Sequence, residues 1–297
     1  MRLVTFEHEG RQHLGLVFND SVTSLASLAL AHGADASQFS DMIRFFSSGE
    51  RGLEIAQRLH DRAVRDWDLW VSLNRVKLLS PVPKPGKIIA IGLNYRDHAE
   101  EAKLAIPAEP LFFAKFTSSI SGPFAEIILP APDINTDFEG ELAVVIGTRA
   151  RRVSSGQALR FVAGYAIMND VSARKWQFAD KQWTRAKSCD TYSPCGPWLT
   201  TRDEVSDPQN LRVTTQVNGA VMQDSNTNQM IFSVARLIEH ISEAITLEPG
   251  DIIATGTPAG VGVFRNPQVF LKAGDTVEVE IEKLGSIKNP VRNEIRA

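Results

Sequence analysis

Asn135-Thr-Asp-Phe-Glu-Gly-Glu-Leu-Ala-Val-Val-Ile-Gly147 is the stretch on which the reading of this chain turns. Its second half, Leu142–Ile146, is a continuous apolar run, the pattern of a strand buried on both faces. Side chains two apart on a strand share a face, so Asp137, Glu139 and Glu141 are expected to point the same way. Carboxylates side by side at the mouth of a buried strand are costly without a partner. Hard cations such as Mg2+ take oxygen ligands of this kind. A solvated polar face on an edge strand is the alternative, and the spacing leaves it open. A second acid bears on the choice. Asp170 ends another apolar run, Val162–Met168, and two strand ends that each deliver carboxylates suit a metal site.

Outward from this stretch, further strand-like runs appear at 87–93, 125–130, 211–219, 251–256 and 275–285, the last with Val277, Val279 and Ile281 on one face. One clear helix interrupts them, Ser233–Ile245, with Pro249-Gly250 just beyond. Strands do not alternate regularly with helices, so the expected class is α+β, predominantly β. Residues 1–80 read differently. Leu3–Glu7 and Leu14–Val17 look like strands, and Ser40–Val64 has helical spacing broken near Ser47–Gly52. Ser80-Pro-Val-Pro-Lys-Pro-Gly86 then forces extended backbone. The expectation is a small N-terminal α/β domain (1–80), a proline-rich linker (81–86) and a larger domain (87–297).

Length agrees, since 297 residues correspond to about two domains. Lys and Arg number 32 against 35 Asp and Glu, a net −3, which offers no footprint for nucleic acid or an anionic membrane. Cys189 and Cys195 are too few for a disulfide scaffold and wrongly spaced for zinc. MRLVTFEHEG has no basic and apolar leader pattern, and no run reaches the ~18 apolar residues of a membrane span. These features lead to the expectation of a cytoplasmic enzyme.

Other residues are candidates for chemistry. On a helix, His98 and Glu101 sit at i and i+3, a pair that suits a general base, although Asp97 as a helix cap would give a plainer reading. Arg174 and Gln177 have the same spacing and are suited to holding a carboxylate, or are ordinary exposed polar groups. Lys187 alone says little. Thr255-Gly-Thr-Pro-Ala-Gly-Val-Gly262 lacks the Gly-Lys-Ser/Thr ending of a phosphate loop, so nucleotide binding is rejected and Thr257 is kept as a hydroxyl near a small ligand. Cys189 reads as a small hydrophobe rather than a nucleophile, and Arg149–Arg152 as a solvated turn.

Taken in order, Gly92-Leu-Asn-Tyr-Arg-Asp-His98, Asp137-Phe-Glu-Gly-Glu-Leu142, Gly164–Asp170, Lys187-Ser-Cys-Asp190, Gln223–Ile231 and Gly256–Gly262 resemble the fumarylacetoacetate hydrolase family. The run Gly262–Gly274 looks most like its domain-containing protein 2 branch. The resemblance implies a mixed β-sheet roll, a homodimer, and metal ligands at Glu139, Glu141 and Asp170, with Asp137 behind them or at the surface. It also implies a His98–Glu101 dyad on a lid, a site lysine at Lys187, and substrate contacts from Arg174, Gln177 and Thr257. Fumarylacetoacetase adds a carboxylate ligand upstream of its lid histidine, and Lys87–Leu93 holds no acid, which argues against that substrate. The implied activity is Mg2+-dependent, with Mn2+ or Ca2+ as alternatives, and acts on a small 2-oxo or β-diketo acid through a metal-stabilised enolate. Acylpyruvate-type C–C hydrolysis stands first. Oxaloacetate keto–enol tautomerase or decarboxylase is the alternative, then isomerase or hydratase of a ring-cleavage 2-oxo acid from aromatic catabolism. A non-catalytic metal- or ligand-binding relative is the outlying case.

Overall fold

The computed structural model describes residues 1–64, 67–131 and 133–295. Its centre is the strand Gly140–Ile146, buried at every position. It runs antiparallel to Val162–Asn169 on one side and to Ile252–Ala254 on the other. That excludes the edge-strand reading. Ile252–Ala254 pairs parallel to Ile88–Gly92, which pairs antiparallel to Leu111–Lys115, so the sheet is mixed.

Alternation explains why this strand is apolar throughout. Leu142, Val144 and Ile146 face a second, five-stranded sheet and pack with Val213, Val277, Val279 and Ile281. Ala143 and Val145 face the other way, into a cluster with Leu3, Leu16, Phe45 and Ala56. The class is therefore α+β and predominantly β, as expected. The helix Val234–Ala244 forms where its periodicity placed it, capped by the Ser233 side chain on Arg236 N.

The acidic stretch departs from expectation. It is not one strand. Thr136–Asp137 pairs with Ser172–Ala173, and the main ladder begins only at Gly140. Phe138 is fully buried, and the Glu139 N–H donates to the Asn169 side chain instead of a neighbouring carbonyl. The chain between the two strands is thus held by side chains, and simple alternation does not carry Asp137 onto the face of Glu141.

The first residues extend the same sheet. Arg2–His8 pairs with Ser193–Thr201 and with Arg11–Phe18, and the helical stretch forms as Met42–Ser47 and Gly49–Ala63, broken at Ser48. Segment 81–86 lies against that junction, with Val82 buried and the Pro81 carbonyl accepting from Thr5 Oγ1. No helix among the described residues is long and apolar enough to cross a membrane.

The two sheets are tightly packed at Gly140, where an added Cβ would lie 2.4 Å from Thr215 Oγ1 and 2.9 Å from Val279. Gly140→Ala is expected to cost about 1–3 kcal/mol of unfolding free energy through overpacking, readable as a lower urea midpoint.

Candidate active site

Four strands come to an end at one edge of the large sheet. Gly140–Ile146 begins there, while Val162–Asn169, Ile252–Ala254 and Ile88–Gly92 finish there. The arrangement gathers Glu139, Glu141 and Asp170, whose carboxylate oxygens lie within 4.8 Å of one another with all three side chains buried.

Cations surround the group. Lys187 Nζ donates to Glu139 Oε2 at 2.7 Å and to Asp170 Oδ2 at 2.9 Å. Lys115 Nζ donates to Asp170 Oδ1 and to the Tyr192 carbonyl. Arg174 pairs with Glu139 at 2.6 Å and with Asp137 at 2.8 Å. Glu141 differs, since among the described residues no cation bridges it, and its Oε2 accepts only the Gly256 N–H, at 2.8 Å.

The electrostatics follow this asymmetry. Burial works against the charge of Glu139, but Lys187 and Arg174 overcome it and hold the carboxyl at about 2. Burial, reinforced by Asp170 and Glu139, pushes Glu141 well above the usual carboxylate range. Lys115 is lowered by burial, whereas Lys187 is held up by Asp170 and Glu139 despite it. Asp137, Glu139, Glu141 and Asp170 outnumber Lys115, Arg174 and Lys187 by one charge. An all-oxygen donor set with one charge unmatched fits a hard divalent cation.

Over the triad lies the helix Arg96–Ala102. His98 Nδ1 is 3.2 Å from Glu101 Oε2, and Glu101 Oε1 accepts the Gly260 N–H at 2.9 Å. Asp97 is not the cap; Tyr95 holds that position, and Asp97 instead accepts from Ser225 Oγ. Asn94 fixes the helix entry through Phe232 N, Phe232 O and Thr255 O. A cavity of about 130 Å3 lies beneath, reached by His98, Glu139, Lys187 and Gln177, with Trp183, Phe113 and Phe264 as its apolar wall.

The family model described as fumarylacetoacetate (FAA) hydrolase C-terminal matches residues 87–292. The chain belongs to the fumarylacetoacetate hydrolase family. It is 44% identical over 295 residues to oxaloacetate tautomerase FAHD2A, mitochondrial, of Bos taurus, covering 98% of this chain and 91% of the relative. A 2-hydroxyhepta-2,4-diene-1,7-dioate isomerase from Mycobacterium marinum superposes with a TM-score of 0.77 at 34% identity, covering 100% of each chain. Maleylpyruvate hydrolase from Sphingobium sp. SYK-6, solved with manganese(II) ion and pyruvate, gives 0.80 at 32% identity over 99% of this chain and 100% of that one. The chain is an enzyme of this hydrolase and isomerase family, acting on a small molecule.

One expectation is corrected. The bovine, rat and human relatives are designated mitochondrial, which overturns the cytoplasmic reading. Two free thiols and a near-neutral charge suit any reducing aqueous compartment, so they had no power to choose among them.

Of the site residues named from sequence, Glu139, Glu141 and Asp170 form the triad, His98, Arg174, Gln177, Lys187 and Thr257 line the cavity, and Glu101 reaches it through His98. The Arg174 guanidinium is spent on Asp137, Glu139 and, through Nη1, Gln177 Oε1 at 2.8 Å. Thr257 Oγ1 donates to the Gly140 carbonyl and accepts from Gln223, so its hydroxyl serves the loop. Asp137 is fully buried, not at the surface, and anchors the glycine-rich loop through Gly262 N and Val263 N. Burial pushes the Cys189 thiol up to about 11, in keeping with an unreactive cysteine. Sequence reasoning missed Lys115, although a lone lysine ending the apolar run Leu111-Phe-Phe-Ala carries the same signal as Asp170. It also gave no role to Asn94 or Gln223, polar residues in polar company.

Cation binding requires Glu141 to ionise, and its carboxyl is pushed up by burial, so binding is expected to be accompanied by proton release and to strengthen as pH rises. Magnesium calorimetry in two buffers of different ionisation heat reads this directly. Identical heats in both would contradict it.

Proposed function

We propose that this enzyme interconverts the keto and enol forms of oxaloacetate with a divalent metal, Mg2+ before Mn2+ or Ca2+, held by Glu139, Glu141 and Asp170. What carries the reading is the His98–Glu101 pair set on a cavity of only about 130 Å3 that also meets Glu139 and Lys187. Pockets for drug-sized ligands run to about 300–1,000 Å3, so this one suits a metabolite of few carbons. Moving a proton between C3 and the 2-oxo oxygen needs a base and no leaving group. Hydrolysis of a C–C bond needs, in addition, a placed water and room for a departing acid. The 44% likeness to an oxaloacetate tautomerase over 98% of the chain supports the same choice.

Each side chain then has a task. Bound at the triad, the metal would act as a Lewis acid towards the substrate's oxygens and make the C3 proton easier to remove. Glu101, held by Gly260, accepts from His98 Nδ1 and leaves Nε2 with a lone pair to take that proton. Lys187 supplies positive charge for the substrate carboxylate. Gln177, its carbonyl oxygen occupied by Arg174, offers N–H donors to a substrate oxygen. Trp183 and Phe113 keep one side of the cavity apolar. The proposal retains a homodimer, for which a solution mass of twice 32.7 kDa is the check.

Acylpyruvate-type hydrolysis is the second reading, favoured by the likeness to maleylpyruvate hydrolase. The two separate in one experiment. Mg2+-loaded enzyme is expected to speed the approach of oxaloacetate to its keto–enol equilibrium, followed by the ultraviolet absorbance of the enol. His98→Ala should lower that rate by about 10²–10⁴-fold, the usual worth of a general base. Cleavage of acetylpyruvate with no effect on oxaloacetate would replace this proposal with the hydrolase reading.

A further inference from the structure

We propose that Gln223 is a positioning residue for the metal centre, whose buried amide locks the ligand strand to the glycine-rich loop. The inference rests on the reading of the carboxylate triad as a cation site. Gln223 is fully buried and does not line the cavity. It comes from Ala220–Asn226, an edge strand of the second sheet.

The amide closes a ring of hydrogen bonds. Gly140 N–H donates to Gln223 Oε1 at 3.0 Å, Gln223 Nε2 donates to Thr257 Oγ1 at 2.8 Å, and Thr257 Oγ1 donates back to the Gly140 carbonyl at 3.0 Å. The second Nε2 proton goes to the Pro258 carbonyl at 2.8 Å. Donors meet acceptors throughout, so the amide has one orientation; reversed, its NH2 would face the Gly140 N–H.

Gly140 lies between Glu139 and Glu141, and Gly256, the sole donor to Glu141 Oε2 among the described residues, is next to Thr257. The ring therefore fixes the two glutamates against each other and fixes Glu141 against the loop that orients it. Little room is left to absorb its loss, because the space a Cβ would take at Gly140 is already filled by Thr215 and Val279. The same strand also reaches the Arg96–Ala102 helix through Ser225 and the loop through the Met222 carbonyl, which accepts from Arg265. Gln223 thus sits at the centre of a strut that one sheet extends to the active edge of the other.

The test is magnesium binding by calorimetry on the full chain, beside a thermal melt. Gln223→Met keeps length and burial but removes every hydrogen bond the amide makes, leaving only the Thr257–Gly140 bond of the ring. Removing a group that orients metal ligands typically costs about 10–100-fold in affinity, and a loss of that size is expected here. Asp224→Asn, on the same strand but exposed and paired with Arg212, is the control and should bind as the wild type does. Gln223→Glu covers the case in which the methionine variant does not fold. It keeps an acceptor for Gly140 N–H and brings negative charge towards the triad, which for a bystander would tighten cation binding. A positioning role predicts weaker binding instead. Wild-type affinity in Gln223→Met, or equal or tighter affinity in Gln223→Glu, would overturn the proposal. Absence of Mg2+ binding by the wild type would overturn the cation reading beneath it as well.

Discussion

An excess of buried negative charge where four strands end is the constraint to which the rest of the site answers. An ionised carboxylate taken out of water costs several kcal/mol unless it is paired. The fold meets that cost from three directions, with Lys115 from the outermost strand, Lys187 and Arg174 from short helices behind the sheet. These cations satisfy Glu139, Asp170 and Asp137 and stop one short. Among the described residues, Glu141 is left with a single backbone donor. Burial and its acidic neighbours therefore push its carboxyl well above the usual range.

The same economy shapes Arg174, which lines the cavity while paired with two buried carboxylates. A guanidinium has five donors in a fixed fork; here Nε donates to Asp137, Nη1 donates to the Gln177 carbonyl oxygen, and Nη2 lies 2.6 Å from Glu139 Oε1. Beside Glu139 it helps hold that carboxyl ionised, and its Nη1 occupies the Gln177 carbonyl oxygen. Asp137, which binds the same guanidinium and two loop N–H groups, belongs to that framework.

Much of the fold was legible because hydrophobic burial writes itself into sequence. Leu142–Ile146 had to be two-faced, and Val234, Leu237, Ile238 and Ile241 had to line one side of a helix. The acids at 139, 141 and 170 were visible for the converse reason: charge beside an apolar run demands a partner. Less legible were features settled by distant pairing. Ser193–Thr201 contains two prolines and a glycine and reads as loop, yet it joins the N-terminal strand to the centre of the sheet. The break at Phe138-Glu139 was equally hidden, because nothing near it in sequence announces that Asn169 will accept its N–H. Gln223 acquires meaning only once the second sheet is laid against the first.

That N-terminal seam also constrains how the chain is made. Arg2 pairs with Thr200 and Leu3 with Leu199, so the hairpin Arg2–Phe18 can form locally while its other edge waits for two-thirds of the chain to leave the ribosome. Contacts so far apart in sequence are slow to form, since the intervening chain must close first. Until then an apolar strand edge lies open, the kind of surface that pairs with the wrong partner. Lys77–Leu78, which pairs with Phe6 and Glu7 of the same strand, is made long before residue 193 and is available to cover part of that strand first.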